Sequence, residues 1–323
     1  MTSYARIDGL QYCDWNRERF LELRGGGLNA VHATVCYYEN FRETAANIAG
    51  WNEMFSLHSD LIMPGRDADD VRIARESGRA AIFFGFQNCS PLEDDVGLVE
   101  ICHALGARFM QPTYNNQTSL AGGCYEERDG GVTRAGREVI AEMNRLGMVI
   151  DMSHSGEEST LQAIQLSRRP IAITHANPAF WHACPRNKSE AVLRALGDSG
   201  GMLGLSLYPH HLKSGGECTL QSFCEMAARA AEIIGVRNLG IGSDLCRGHP
   251  DSVVRWMRNG RWRRNTEDES AAVFPPQPEW FESAADFDNL HSGLRAAGFG
   301  EKETGGILGE NWLRFFAHSF RPE

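Results

Sequence analysis

Short apolar runs alternate with longer amphipathic stretches along most of this chain, the pattern of strands that feed into helices. The runs are ARIDGLQYC (5–13), LNAVHATVCY (28–37), RAAIFFGFQN (79–88) and ARFMQPTYN (107–115), then GMVIDMSH (147–154), RPIAITHA (169–176), GGMLGLSLYP (200–209) and LGIGSDLC (239–246). Between them, segments such as 94–106, 133–147, 157–167, 188–200 and 220–235 carry a helical period. Near-continuous apolar strands, each followed by a helix, imply a parallel sheet covered by helices. Eight such units predict a (β/α)8 TIM barrel. An open doubly wound sheet is the competing layout, but the first strand–helix turn carries no G-x-G-x-x-G.

The interval 246–285 breaks the period. It is rich in Arg, Trp and Pro and follows the eighth strand. On a barrel it would overhang the C-terminal face, so it is expected to be a lid-like insertion in a single domain spanning 1–323. Two helices, near 286–297 and 301–318, are expected to close the chain.

Composition narrows the partners. Hydrophobic residues at 42% and charged residues at 23% fit a globular protein with a substantial core. A net charge of -10 argues against nucleic acid, which selects clustered positive charge. The nine cysteines form no C-x-x-C pair, so neither a disulfide framework nor a zinc ribbon is indicated. The N-terminus lacks the basic and apolar regions of a signal peptide, and no apolar run approaches the ~20 residues that cross a bilayer. A cytoplasmic protein with no membrane partner is the expectation.

Chemistry in a parallel barrel gathers at the C-terminal ends of the strands, where the loops share one bowl. The polar residues there are Tyr12, Cys13 and Asp14, then Cys36, Gln87, Asn88, Tyr114 and Asn115, and finally His154, His175, Tyr208, His210 and Asp244. A lone histidine at a strand end more commonly packs than binds a metal. Two at equivalent ends of adjacent strands point into the same bowl, and neutral imidazole is a common zinc ligand. Asp244 ends an otherwise apolar strand, where a carboxylate needs a metal, a base's role or a hydrogen-bond donor; capping the next loop is the alternative. Arg186, after the His175 strand, has the planar fork that clamps a carboxylate.

The constellation resembles the membrane (renal) dipeptidase family, metallopeptidases of the amidohydrolase superfamily. The resemblance runs over nearly the whole chain, through IDG (7–9), IDMSH (150–154), ITHANP (173–178), RNKSEAVL (186–193), GIGSD (240–244) and LGENWLRFF (308–316). It implies a (β/α)8 barrel that hydrolyses dipeptides with two zinc ions bridged by a carboxylate. It further implies that His154 and His175 hold one zinc, that Arg186 binds the substrate carboxylate, and that Asp244 transfers protons. Three matches fail. The family's His-x-Asp pair after DG is replaced by Leu10, Gln11 and Tyr12, its bridging glutamate by Gln87, and its substrate-contacting histidine by Tyr114. Leucine cannot bind zinc, and an amide oxygen is a far weaker ligand than a carboxylate.

The expected site therefore holds one zinc ion on His154 and His175, with Gln87 as a weak third ligand and Asp244 as base. Arg186, Tyr114 and Tyr12 would face a small substrate with a free carboxylate. A homodimer is the expectation drawn from the family. Two alternatives stand beside this reading. One is a re-purposed amidohydrolase (deaminase, decarboxylase or hydrolase) for a non-peptide metabolite, with Tyr12, Tyr114, Trp256 and Trp262 as a box for a cationic ligand. The other is a catalytically silent binding protein.

Overall fold

The computed structural model describes residues 4–261 and 274–322. Nine strands form one parallel sheet: β1 Ile7–Gln11, β2 Ala30–Cys36, β3 Ile62–Gly65, β4 Ala80–Phe86, β5 Ala107–Met110, β6 Val149–Ile150, β7 Ala172–Ala176, β8 Met202–Leu205 and β9 Leu239–Ile241. Eight of them run in the order β6-β5-β4-β2-β1-β9-β8-β7. The two ends of that row meet where Asp151 bridges Ala172 and the Met152 N–H donates to the Ala172 carbonyl at 2.9 Å, which closes the barrel. Each of the eight runs read from the sequence contains one of these strands.

The ninth strand, β3, was not expected. It pairs with the first half of β4, from Ile62↔Ala80 to Gly65↔Phe83, while β5 takes the second half from Phe84 onward. Four residues with Pro64 among them give no readable period, which is why the pattern missed it.

The helices are α1 Arg17–Gly25, α2 Phe41–Leu57, α3 Ala68–Ser77, α4 Gly97–Ala104, α5 Arg134–Leu146, α6 Glu157–Leu166, α7 Glu190–Asp198 and α8 Leu220–Ile234, followed by α9 Asp251–Asn259, α10 Phe287–Ala296, α11 Glu301–Gly305 and α12 Asn311–Ser319. Their starts are written in the chain. Asn16, Thr133, Ser189 and Thr219 each cap a helix with a side-chain oxygen, and Asn40 and Asp67 form capping boxes with Glu43 and Asp70. α5 shows the packing rule: Val139, Ile140, Met143 and Leu146 lie on one buried stripe.

The floor of the barrel is filled from the far end of the chain. The indole of Trp312, on α12, donates to the Ile241 carbonyl at 2.9 Å. A Cβ on Gly9 or Gly240 would come within 2.6 or 2.2 Å of this ring, so glycine is what lets β1 and β9 close over it. A buried aspartate ties strands together nearer the other end. Asp8 accepts from the Ser243 N–H at 2.7 Å and from Gln11 Nε2 at 2.8 Å, linking β1 to the segment after β9.

The described part of the insertion after the eighth barrel strand contains one α-helix, α9, with irregular chain on either side. α9 is held by Tyr38 Oη, which donates to the Met257 carbonyl at 3.1 Å, and by the Arg261–Glu43 ion pair at 2.6 Å. Trp256 packs edge-on against Tyr37 and Tyr38, with centroids 5.9 and 5.6 Å away. Trp262 lies outside the described residues.

Candidate active site

A cavity of about 470 Å3 opens at the C-terminal ends of the strands. His154, Arg186 and Asp244 line it, as do Gln87 and Tyr114, while Met257 and Arg258 of α9 and Phe274 give it a further wall. The strand-end residues singled out in the sequence are thus mostly brought together, as a barrel requires.

The two histidines meet. His154 Nε2 and His175 Nε2 are 3.0 Å apart. Their other ring nitrogens fix which tautomer each adopts. His154 Nδ1 lies 2.7 Å from Asn115 Oδ1, an acceptor, so Nδ1 carries the proton. His175 Nδ1 lies 2.8 Å from Thr174 Oγ1. That hydroxyl spends its own proton on Asp151 Oδ2 at 2.6 Å, which leaves it only lone pairs to offer and assigns the proton to His175 Nδ1. Both Nε2 atoms therefore present lone pairs to each other. Burial, then the positive charge of Arg186, holds both imidazoles well below the usual histidine range, so neither is protonated at neutral pH.

Asp151 is the anchor beneath this pair. Its Oδ1 accepts from the Ser153 N–H, Ser153 Oγ and the Thr174 N–H at 3.0, 2.5 and 3.1 Å, and its Oδ2 accepts from Gln111 Nε2 at 2.8 Å as well as from Thr174. A fully buried carboxylate with this many donors is a structural hub. Asn115 has a left-handed backbone at φ 59°, a conformation that asparagine tolerates better than most residues. The turn aims its amide at His154.

Gln87 is buried on the cavity wall. Its Nε2 donates to Thr34 Oγ1 at 2.8 Å and to Tyr37 Oη at 3.1 Å, so both amide hydrogens are engaged and the amide oxygen is the atom left for a ligand. Tyr114 covers His154 with its ring, centroids 4.2 Å apart. Burial pushes its phenol well above the ordinary tyrosine range, so it stays neutral.

Asp244 sits on a left-handed residue, φ 54°, just past β9. Burial, opposed by Arg186 and reinforced by Asp8 and Asp151, pushes its carboxyl up to about 7. A carboxyl that titrates near neutrality can both take and return a proton.

Arg186 departs from the simplest expectation. The guanidinium donates to the Ser153 carbonyl through Nη1 and to the His175 carbonyl through Nη2 at 3.3 Å, while also lining the cavity. It ties the two histidine-bearing segments together and keeps its remaining N–H groups for another partner. Among the described residues no carboxylate pairs with it.

Tyr12 is the residue that the fold places elsewhere. Its ring stacks on His249 at 4.2 Å and meets Tyr37 edge-on at 4.8 Å, and Tyr37 is the ring that reaches the cavity. Tyr37, Tyr38, Tyr114 and Trp256 contact one another edge-on at 5.0 to 5.9 Å. These rings fill their own space as a packed cluster. Cys13 donates to the Leu245 carbonyl, and its thiol is pushed up to about 12 by burial, a packed cysteine.

Three contributors were not singled out by sequence. His211 lines the cavity with Nδ1 2.8 Å from Ser206 Oγ. Lys188 is buried and donates to the Ser155 carbonyl at 2.7 Å. Asp151 is visible in IDMSH, but nothing in a linear pattern reports five converging donors.

A closed parallel barrel with imidazoles, a carboxylate and a guanidinium at the C-terminal ends of its strands defines a hydrolase-type site of the amidohydrolase kind. The family described as membrane dipeptidase (peptidase family M19) matches residues 19–257, and the chain belongs to that family. An amidohydrolase from Pseudomonas aeruginosa has the same fold at a TM-score of 0.93 with 35% identity, over 98% of this chain and 97% of that one. A metallo peptidase from Rhodobacter sphaeroides, solved with a phosphinate mimic of the dipeptide L-Ala-D-Ala, superposes at 0.83 with 17% identity over 98% of this chain and all of that one, a likeness of fold. The dipeptidase aclJ of Aspergillus oryzae is 26% identical over 64% of this chain, and the chain spans 51% of that relative's length. Among the described residues no helix is long and apolar enough to cross a membrane.

Proposed function

We propose that this protein is a metal-dependent hydrolase of the amide bond in a dipeptide, or in a similar small amide with a free carboxylate, built on a one-metal site. The observation that carries this reading is the opposed pair of Nε2 lone pairs at 3.0 Å. With both Nδ1 protons committed, the pair repels itself unless a cation lies between, and zinc takes neutral imidazole nitrogen. Oriented Nδ1 groups are also the outer support that metal-bound histidines show. His154 and His175 would hold the ion, with the amide oxygen of Gln87 and the carboxylate of Asp244 on the same cavity. Among the described residues no three His, Cys, Asp or Glu side chains are arranged to hold a metal, so the ion would rest on the two histidines with the weaker amide oxygen of Gln87.

Bound zinc supplies a Lewis acid that polarises a carbonyl and acidifies water. The chain supplies the rest. Asp244 carries the proton towards the leaving amine. The free N–H groups of Arg186 attract the substrate carboxylate. Tyr114 shields the histidines from bulk water, and α9 with Phe274 encloses the cavity as part of a lid.

Metal content per chain, measured on protein purified without added metal or chelator, tests this. One equivalent of zinc or a similar ion, lost in His154→Ala, together with dipeptide hydrolysis that a chelator abolishes, is the expected result. Protein that takes up no metal on reconstitution refutes it.

One observation favours a second reading. Where the family carries its other metal ligands, this chain has buried Leu10 and a Tyr12 stacked between His249 and Tyr37. A site so rebuilt fits a non-peptide amide or a related metabolite, and brisk turnover of one with dipeptides inert decides for it.

A further inference from the structure

A second cavity of about 350 Å3 lies at the opposite end of the barrel, where the strands begin. Arg6, Arg24, Arg75 and Arg79 all line it, with Asn29 and a single carboxylate, Asp288. Arg6 stands just before β1, Arg24 lies in the last turn of α1, Asn29 stands just before β2, and Arg75 and Arg79 flank the α3–β4 turn. Among the described lining residues four guanidinium groups stand against one carboxylate, a positive surface in a chain whose net charge is -10, and Arg24 and Arg79 form no ion pair there.

The fold explains these arginines only one at a time. Arg24 and Arg75 occupy the last turns of α1 and α3, where the helix dipole favours a cation. Asp288 pairs with Arg6 at 2.6 Å, although the aspartate side chain is 78% exposed. None of these terms requires the four to share one wall. Arg6 is only 4% exposed, donates to the Gly26 carbonyl at 2.8 Å, and leaves Nε buried with no acceptor. Arg79 Nε rests on Ser77 Oγ at 2.9 Å, a neutral partner. Like charges gathered around a hollow repel one another, and a ligand with several negative charges removes that repulsion.

We infer that this pocket binds a compact phosphate-bearing anion. The guanidinium fork matches phosphate oxygens in pairs, Asn29 adds a polar neighbour, and the volume falls within the size range of small-molecule sites, about 300–1,000 Å3. The site is separate from the catalytic cavity, which opens at the other ends of the same strands.

Inorganic pyrophosphate is the probe, added to the full chain while the thermal midpoint and the binding heat are followed at low and high salt. The midpoint rises with pyrophosphate concentration, as for any ligand selective for the folded state, and binding weakens as salt is raised. Pyrophosphate binds more tightly than orthophosphate, as its larger charge demands. The double variant Arg24→Gln/Arg79→Gln relieves part of the repulsion among the arginines and so does not lower the unliganded midpoint, yet loses about tenfold or more in affinity, the worth of one charge-assisted fork. His154→Ala keeps the full response, which separates this pocket from the catalytic end. No binding by the wild type, an undiminished response in the double variant, or loss of the response in His154→Ala overturns the inference.

Discussion

Arg186 and Lys188, two residues apart in one loop, grip the backbone on either side of His154. Arg186 donates to the carbonyl of Ser153 and Lys188 Nζ to the carbonyl of Ser155 at 2.7 Å. Both cations are buried at 4% exposure. The loop that follows β7 thereby fixes the histidine that follows β6, and through the His175 carbonyl it reaches back to its own strand. Lys188 is spent on this grip, whereas Arg186 also lines the cavity with its remaining N–H groups.

This clamp gives a prediction whose sign is informative. Removing a positive charge close to a bound cation strengthens metal binding by electrostatics alone. Lys188→Met is expected to weaken it about tenfold, because the Ser155 carbonyl and the ring of His154 lose their support. Competition titration with a metal indicator reads the constant, and tighter binding in the variant rules out the positioning role.

Asp151 tests the layer beneath. Asp151→Asn keeps the shape but turns an amide nitrogen toward hydrogen-bond donors, so it costs more than about 2 kcal/mol of folding stability. Urea unfolding of metal-free protein measures this, and a loss under about 0.5 kcal/mol would mean that the five contacts carry little.

Asp244 predicts a pH dependence. Its folded pKa of about 7 lies above the unfolded value near 3.9, so the folded state holds the extra proton between these limits. Stability of the metal-free protein therefore falls as pH rises from about 4 to about 7 and levels off above, a loss on the order of a few kcal/mol. Asp244→Asn removes this contribution and is the more stable of the two at pH 8. Parallel stability curves for the two proteins across the window would show that burial does not raise this carboxyl.

Gln87 offers a gain of function. Gln87→Glu places a carboxylate beside Thr34 and Tyr37, whose hydroxyls can turn to donate to it. Carboxylate oxygen binds zinc far better than amide oxygen, so the variant is expected to hold metal at least about tenfold more tightly. Unchanged affinity in a correctly folded variant would place Gln87 outside the reach of the ion.

Much of the architecture was legible because parallel barrel strands are buried on both faces and read as continuous apolar runs. His154 and His175 could be paired from their equivalent positions at the ends of β6 and β7. What pattern could not carry was register between distant segments. Tyr12 looked like a cavity residue by its place at the end of β1, yet His249, more than two hundred positions later, receives its ring. Lys188 stands in the RNKSEAVL motif, and nothing in a linear pattern reports that the fold buries its ammonium against the Ser155 carbonyl. β3 was lost for a simpler reason: a four-residue strand with a proline has too few positions to show a period.

Trp312 has a consequence for how the protein is made. During synthesis every strand of the barrel emerges before the indole that fills the floor beneath Gly9 and Gly240. Until it arrives, β1 and β9 have a void where their tightest contact belongs. A nascent chain arrested before α12 is therefore expected to stay protease-sensitive and chaperone-bound however many of its strands are already complete, and arrival of α12 acts as the latch that commits the whole barrel at once.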